Sequence, residues 1–485
     1  MDAERAVARH LVVGLPPGGP GAGWERDFAA CPPAGVILFR RDFRDLDDLR
    51  RLTAHLRGLA RPRRLLVAAD EEGGFVSQLR GHLVVPPNAA LLARGGAPAD
   101  VEWAARVTGA RLRALGLDWA FAPVADVNAL PANPVIGPRA HGTDAAAAAA
   151  GTAAAVRGLR AAGVACCLKH FPGHGSTVLD SHVALPVCEA DRDTLLARDL
   201  EPFRAGAAAG ADAVMTAHVV YPALDGERPA TFSPAVLRGL LRGTLGFGGV
   251  CVTDALEMKG ASAARTPPQA AREALLAGSD LLLFAHHDEA LPAWRADLAA
   301  ALVRGQLADA GLDAALARLE TLGRSCPEPG ADELARPLGS LTPPDWEETL
   351  ERIAARGLLT RGALTRAAAA LRWRVEEPEH PEGPGLGEEL ARAGVPVEPG
   401  APAAGGAHVA LVAVASRRPL PAAELERLRG LCRAGPTVLV GLQNDAFLDE
   451  LPEAMLRVSA ADTTPATLRA LAGALAGMRR EAATA

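Results

Sequence analysis

Lysine is nearly missing from this chain of 485 residues: among 51 basic side chains only Lys169 and Lys259 are not arginine. A position that keeps lysine against that bias calls for a compact ammonium rather than a planar guanidinium fork. Positive charge is also in deficit overall. The net charge of −6 removes the clustered cations that a nucleic-acid or anionic-membrane surface needs for counterion release. No stretch approaches the roughly 20 apolar residues of a membrane span. The opening MDAERAVARHLVVGLPPGG holds a four-residue apolar run, too short for a signal-peptide core. Seven cysteines occur without a C-x-x-C spacing, which excludes a zinc or disulfide framework and suits reduced packing thiols. The expectation is a cytoplasmic protein with no metal, no cofactor, and neither nucleic acid nor membrane as partner.

What the chain does have is a repeating texture. Eight short apolar runs recur in the first 290 residues: 11–14, 35–39, 65–70, 119–126, 164–170, 212–218, 249–255 and 280–285. Helical Ala/Leu/Arg-rich segments separate them, as at 43–60, 101–116, 144–163 and 199–210. Strands apolar on both faces, alternating with helices, mark parallel βα units. Eight such units predict a (β/α)8 barrel over 1–325. A Pro- and acid-rich linker with a connecting helix follows at 326–360, and a smaller α/β sandwich at 361–485. Strands are expected there at 372–377, 408–416, 437–444 and 455–460, with APAAGGA (401–407) as a flexible loop.

Polar groups follow the apolar part of many barrel strands: Asp70, Asp126, Lys169 with His170, His218, Asp254, and His286 with His287. A barrel gathers those strand ends on one face. The densest stretch is KHFPGHGSTVLDSH (169–182), which Pro172, Gly173 and Gly175 prevent from being one helix. His170 and His174 therefore lack the helical H-x-x-x-H geometry of a zinc site. Asp180 and His182 form a D-x-H pair in which the carboxylate would fix the imidazole tautomer and raise its basicity; an Asx-bonded turn is the plainer alternative. Asp254, just past a strand, is either the N-cap of a helix over ALEM or a nucleophile aimed into the barrel mouth. Glu71 and Glu72 read as solvated.

KHFPGHG…DSH, MTAHVVYPALD (215–225), PATFSPAVLRGLLRGTLGFGG (229–249), VTDALEM (252–258), ILFRRDF (37–43), AADEEGGFV (68–76), LGLDWAFAPVADVN (115–128) and NPVIGPRAHGTD (133–144) together resemble glycoside hydrolase family 3, in particular its bacterial β-N-acetylglucosaminidase branch. The resemblance runs through about residues 8–290 and includes the only tyrosine, Tyr221. It implies a retaining, exo-acting β-N-acetylhexosaminidase that releases terminal N-acetylglucosamine from cell-wall or chitin-derived oligosaccharides. Asp254 would be its nucleophile, with His182 as acid/base supported by Asp180. Asp70, Arg139, Lys169 and His170 would bind sugar hydroxyls, Met258 and His218 would line or buttress the pocket, and Gly173, His174 and Gly175 would shape the loop.

The chain departs from the family pattern at Phe75 and Gln78, where arginines are usual after EGG, and at Ser176, where an aspartate is common after GHG. Sugar preference is open on that account, and Arg80 is a candidate to compensate. Two alternatives stand beside hydrolysis. A glycoside phosphorylase is one, since an imidazole repels phosphate less than a carboxylate does; a non-enzymatic sugar-binding barrel is the other. The C-terminal domain carries no motif, and homodimer formation is one role open to it.

Overall fold

The computed structural model describes residues 3–181, 183–379, 384–398, 402, 408–416 and 418–484. The chain forms two compact units. The first comprises Met1–Glu72, Val101–Ala129 and Gly142–Thr342, and the second Gly73–Asp100, Leu130–His141 and Pro343–Ala485.

The first unit is built on eight parallel strands: β1 (Leu11–Val13), β2 (Gly35–Ile37), β3 (Leu66–Ala69), β4 (Trp119–Ala120), β5 (Ala165–Phe171), β6 (Ala213–Thr216), β7 (Val250–Thr253) and β8 (Leu282–Phe284). They pair in the order β7-β6-β5-β4-β3-β2-β1-β8. The order then comes round on itself, because Thr253 N–H donates to Leu281 O at 3.0 Å and Leu281 N–H to Cys251 O at 3.1 Å. All eight expected strands are present, and the expected barrel is the observed fold.

Every strand sends at least one side chain into a shared core, among them Val12, Ile37, Ala68, Trp119, Cys167, Met215, Val252 and Leu283. Side chains in a strand alternate faces, so the residue two positions on from a core residue points the same way. From Ala68, Cys167 and Val252 that residue is Asp70, Lys169 and Asp254. The charged residues two positions beyond Ala68, Cys167 and Val252 therefore stand at the mouth of the barrel, on the core side of their strands.

The opposite end follows a second rule. Just before three even-numbered strands stands an aspartate, and each accepts the N–H of the second residue of the preceding odd strand. Asp118 takes Val67 N–H at 2.8 Å, Asp212 takes Cys166 N–H at 3.1 Å, and Asp280 takes Cys251 N–H at 2.7 Å. All three are buried. Arginines compensate them: Arg57 and Arg64 at Asp118, Arg160 at Asp212, and Arg242 with Arg318 at Asp280. A buried carboxylate left unpaired would cost several kcal/mol, on the order of 3–5, so the arginines are part of the fold.

The second unit holds a six-stranded sheet of β9 (Leu359–Gly362), β10 (Arg372–Glu376), β11 (Val397–Glu398), β12 (His408–Val414), β13 (Thr437–Gly441) and β14 (Leu456–Ser459). The order is β9-β14-β13-β12-β10-β11, parallel throughout except for β9. Helices cover both faces: Trp373, Leu411 and Val438 meet Leu471 on one, and Val412 and Leu439 meet Leu428 and Phe447 on the other. Strands β10, β12, β13 and β14 stand where the sequence places them, and β9 and β11 are additional. The expected loop 401–407 lies, apart from Pro402, outside the described residues.

Candidate active site at the carboxyl ends of the barrel strands

Lys169, on β5, places its Nζ 2.6 Å from Asp70 Oδ1 and 2.6 Å from Glu72 Oε1. The ammonium is 2% exposed and Glu72 5%, whereas Asp70 is 25% exposed. One buried cation between two carboxylates offsets the cost of burying them, and Asp70 is the more exposed of the two acids. A guanidinium would spread five donors in a plane where two convergent acceptors need a point donor. The solvated reading of Glu71 and Glu72 is overturned. Both are withdrawn from water because the chain stays extended through Glu71–Gly73 beyond β3, which turns Glu72 to the same side as Asp70.

Asp126, wholly buried, organises the next part of the ring. Its carboxylate stands 2.8 Å from His170 Nδ1 and accepts the N–H groups of His170 at 3.2 Å and of His174 at 2.6 Å. The charge and hydrogen bond of His170 hold Asp126 below the usual carboxylate range, against the opposing effect of burial. A carboxylate on Nδ1 fixes that nitrogen as the N–H and leaves Nε2 as the working atom of His170.

His174 is buried with Nδ1 2.8 Å from Thr177 Oγ1 and Nε2 3.0 Å from Ser181 Oγ. Burial, aided by the charge of His170, pushes it down to about 4, so near neutrality it is an uncharged brace. Gly173 lies at φ +136°, and its carbonyl accepts the hydroxyl of Tyr221 at 2.8 Å. At Gly175 a Cβ would stand 1.7 Å from Val127 O, so the loop passes the β4 end closer than any side chain permits. The loop then turns outward. Val178, Leu179, Val183, Leu185 and Val187 are all large apolar side chains exposed to water.

Asp254 closes the ring from β7. ALEM forms a turn, and the helix begins only at Lys259 with Met258 as its N-cap residue, so the capping alternative for Asp254 is removed. Its Oδ1 accepts Ala255 N–H at 2.8 Å. His218 supports this turn from β6, with Nε2 3.0 Å from Ala255 O and Nδ1 2.8 Å from Thr231 Oγ1, its ring stacked 6.4 Å from that of Phe232. Met258 is buried in the barrel core. Glu257, which sequence reasoning passed over, is held up at about 7, chiefly by burial and further by the charge of Asp254. His286 N–H donates to its Oε1 at 2.6 Å.

Asp180 begins a turn whose carbonyl accepts the N–H groups of Val183 at 2.9 Å and Ala184 at 3.0 Å. His182 lies outside the described residues. Its neighbour Ser181 is buried and accepts Gly260 N–H at 2.9 Å, which ties the β5 loop to the segment after Asp254. Phe75, Gln78, Arg80 and Arg139 belong to the second unit. There Arg80 Nη2 donates to Thr463 O at 3.1 Å and Arg139 Nη1 to Val135 O at 3.0 Å. Among the described residues no group of three or more His, Cys, Asp or Glu is arranged to hold a metal ion.

Residues 30–322, a majority of the chain, match the family model for the glycosyl hydrolase family 3 N-terminal domain. The chain belongs to glycoside hydrolase family 3. This family 3 glycoside hydrolase is 43% identical over 314 residues to a β-hexosaminidase of Stenotrophomonas maltophilia (strain R551-3), covering 60% of this chain and 92% of the other. Among solved structures it is similar to a family 3 β-N-acetylglucosaminidase from Paenibacillus sp. str. FPU-7, at 30% identity and TM-score 0.88, over 98% of this chain and 96% of that one. A β-glucoside phosphorylase, 20% identical over 99% of this chain and 92% of its own, shares the fold at TM-score 0.81. That likeness speaks to fold alone.

Proposed function

We propose that this family 3 enzyme is a retaining, exo-acting β-N-acetylhexosaminidase that removes terminal N-acetylglucosamine from cell-wall or chitin-derived oligosaccharides. The observation that carries this reading is the position of Asp254. It is a carboxylate two residues past the core residue Val252, released from any helix cap, on the strand face shared with Asp70 and Lys169. In the proposed reaction Asp254 attacks the anomeric carbon as the glycosidic bond breaks. His182, supported by Asp180, protonates the leaving oxygen and then takes a proton from the water that releases the sugar. The hydrogen bond from Gly260 N–H to Ser181 O, which ties the loop carrying Asp180 to the segment after Asp254, supports this reading, and the β-hexosaminidase and β-N-acetylglucosaminidase relatives support the sugar.

The sugar would be held by charge-assisted hydrogen bonds. Asp70, the more exposed acid beside Lys169, accepts a hydrogen bond from a sugar hydroxyl, and His170 Nε2 supplies a further contact. Lys169 acts mainly by fixing Asp70, and Met258 and His218 back the turn carrying Asp254. The reading is tested with a panel of aryl β-glycosides assayed with and without phosphate. Turnover confined to the N-acetylglucosaminide, giving free sugar with retained anomeric configuration in both buffers, supports it. Sugar 1-phosphate in the phosphate arm would make the enzyme a phosphorylase. Binding without turnover of any glycoside would make it a sugar-binding protein.

A further inference from the structure

At the amino ends of the barrel strands the aspartate rule has one gap. Ala34, the residue before β2, makes the same backbone bond as its counterparts: Ala34 N–H donates to Leu11 O at 2.9 Å, as Asp118 N–H does to Val67 O at 3.1 Å and Asp280 N–H to Cys251 O at 2.7 Å. Three of the four even strands thus have a buried carboxylate facing arginines, and the fourth has a methyl group. The arginines are nevertheless there. Ala34 and Leu66 line a cavity of about 840 Å3 whose wall carries six arginines and a single acid, Glu320.

Two of those arginines are answered by protein carboxylates, Arg64 by Asp118 at 3.0 Å and Arg61 by Glu328 at 2.9 Å. Of the other four, Arg9 has only the distant Glu320, and Arg5, Arg63 and Arg324 have no ion pair with a carboxylate among the described residues. Arg5 donates to Ala30 O at 2.9 Å, Arg63 to Pro32 O at 3.1 Å and Arg324 to Thr321 Oγ1 at 3.0 Å, while Arg9 reaches only Glu320, at 4.0 Å. Like charges gathered in a half-buried concavity repel one another unless an anion joins them. Burial first, and then the charge of Arg9, pull Arg63 below the ordinary guanidinium range. The rest of the wall is apolar, including Ala29, Ala60, Leu316 and Leu319.

We propose that this cavity, at the end of the barrel opposite Asp254, is a binding site for a small organic oxyanion with at least two negative charges. Its charged group takes the place of the carboxylate missing at position 34, and its apolar part lies against the alanine and leucine wall. Guanidinium forks match phosphate and carboxylate equally in geometry, so the shared chemistry is the multiply charged oxyanion.

Isothermal titration calorimetry on the full chain, at low salt, uses phenyl phosphate and isophthalate as probes and uncharged benzamide as control. The expected result is saturable one-to-one binding of one or both anions, the stronger of the two telling phosphate from carboxylate, and none for benzamide. Arg9→Ala with Arg63→Ala should weaken binding at least tenfold and leave turnover of an aryl glycoside unchanged. Ala34→Asp should supply the missing carboxylate, abolish binding and raise Tm. If the double variant does not fold, Ala34→Asp alone decides. Absence of saturable heat from both anions, or equal affinity in wild type and Ala34→Asp, overturns the proposal.

Discussion

At the carboxyl ends of the barrel strands the one buried ammonium, Lys169, stands between two carboxylates, and the buried Asp126 holds two histidine residues. At the amino ends, three buried aspartates are each met by arginines, and a fourth position gathers arginines around an alanine. The first end presents the partly exposed carboxylates of Asp70 and Asp254 beside buried histidines, and the second gathers six arginines and one acid around a cavity. Both are built on one strand repeat. A charged residue buried among opposite charges at a strand end holds the fold together, and one that opens onto a cavity is a candidate for ligand binding.

Substitutions at the two ends should separate cleanly. Asp254→Ala is expected to give the largest change, a fall in kcat of about 10^4-fold or more with the fold retained, since a whole covalent step is lost; circular dichroism and turnover on one sample check it. His182→Ala should slow glycosides with poor leaving groups by roughly 10^2–10^4-fold and activated aryl glycosides far less. Equal losses across a leaving-group series would remove His182 from the acid role. Lys169→Met removes the ammonium that stands between Asp70 and Glu72. It should cost about 3–5 kcal/mol in stability by denaturant melt as well as activity.

Glu257→Gln tests a smaller effect. Folded Glu257 titrates at about 7 against an ordinary 4.5, so between those values the folded chain keeps a proton that the unfolded chain has lost. Stability linked to the neutral carboxyl is complete below about 4.5 and falls as pH rises to 7. The Tm of Glu257→Gln relative to wild type should therefore rise from pH 5 to pH 8, and a constant difference would contradict it. The smallest effect belongs to the other end of the barrel, where Arg9→Ala with Arg63→Ala should leave turnover within about twofold of wild type. A large loss there would erase the contrast between the ends.

Much of the site was legible because strand alternation is local. Asp70 and Asp254 were found as polar residues ending apolar runs, and so was the lysine that an arginine-rich chain retains. Glu72 was readable by the same rule, two residues beyond Asp70, once the strand is allowed to continue past the glutamates. Asp126 was seen as a strand-end acid without a role, because its partners His170 and His174 are 44 and 48 residues away. Glu257 gave no signal at all: the N–H that its carboxylate accepts is that of His286, 29 residues further on. Strand β9 escaped because all four of its residues are exposed, so no apolar pattern marks it.

By itself the sequence determined the eight βα units, the family, and which side chains stand at strand ends, since each follows from patterns only a few residues long. Tertiary structure alone decided that Lys169 meets Asp70 across 99 residues, that Asp254 caps no helix, and that arginines from residues 5, 9, 63 and 324 share one cavity. The reason is that closing a barrel sets distant strand ends side by side, and whether a charge finds its partner there is fixed by that closure and not by its neighbours in the chain.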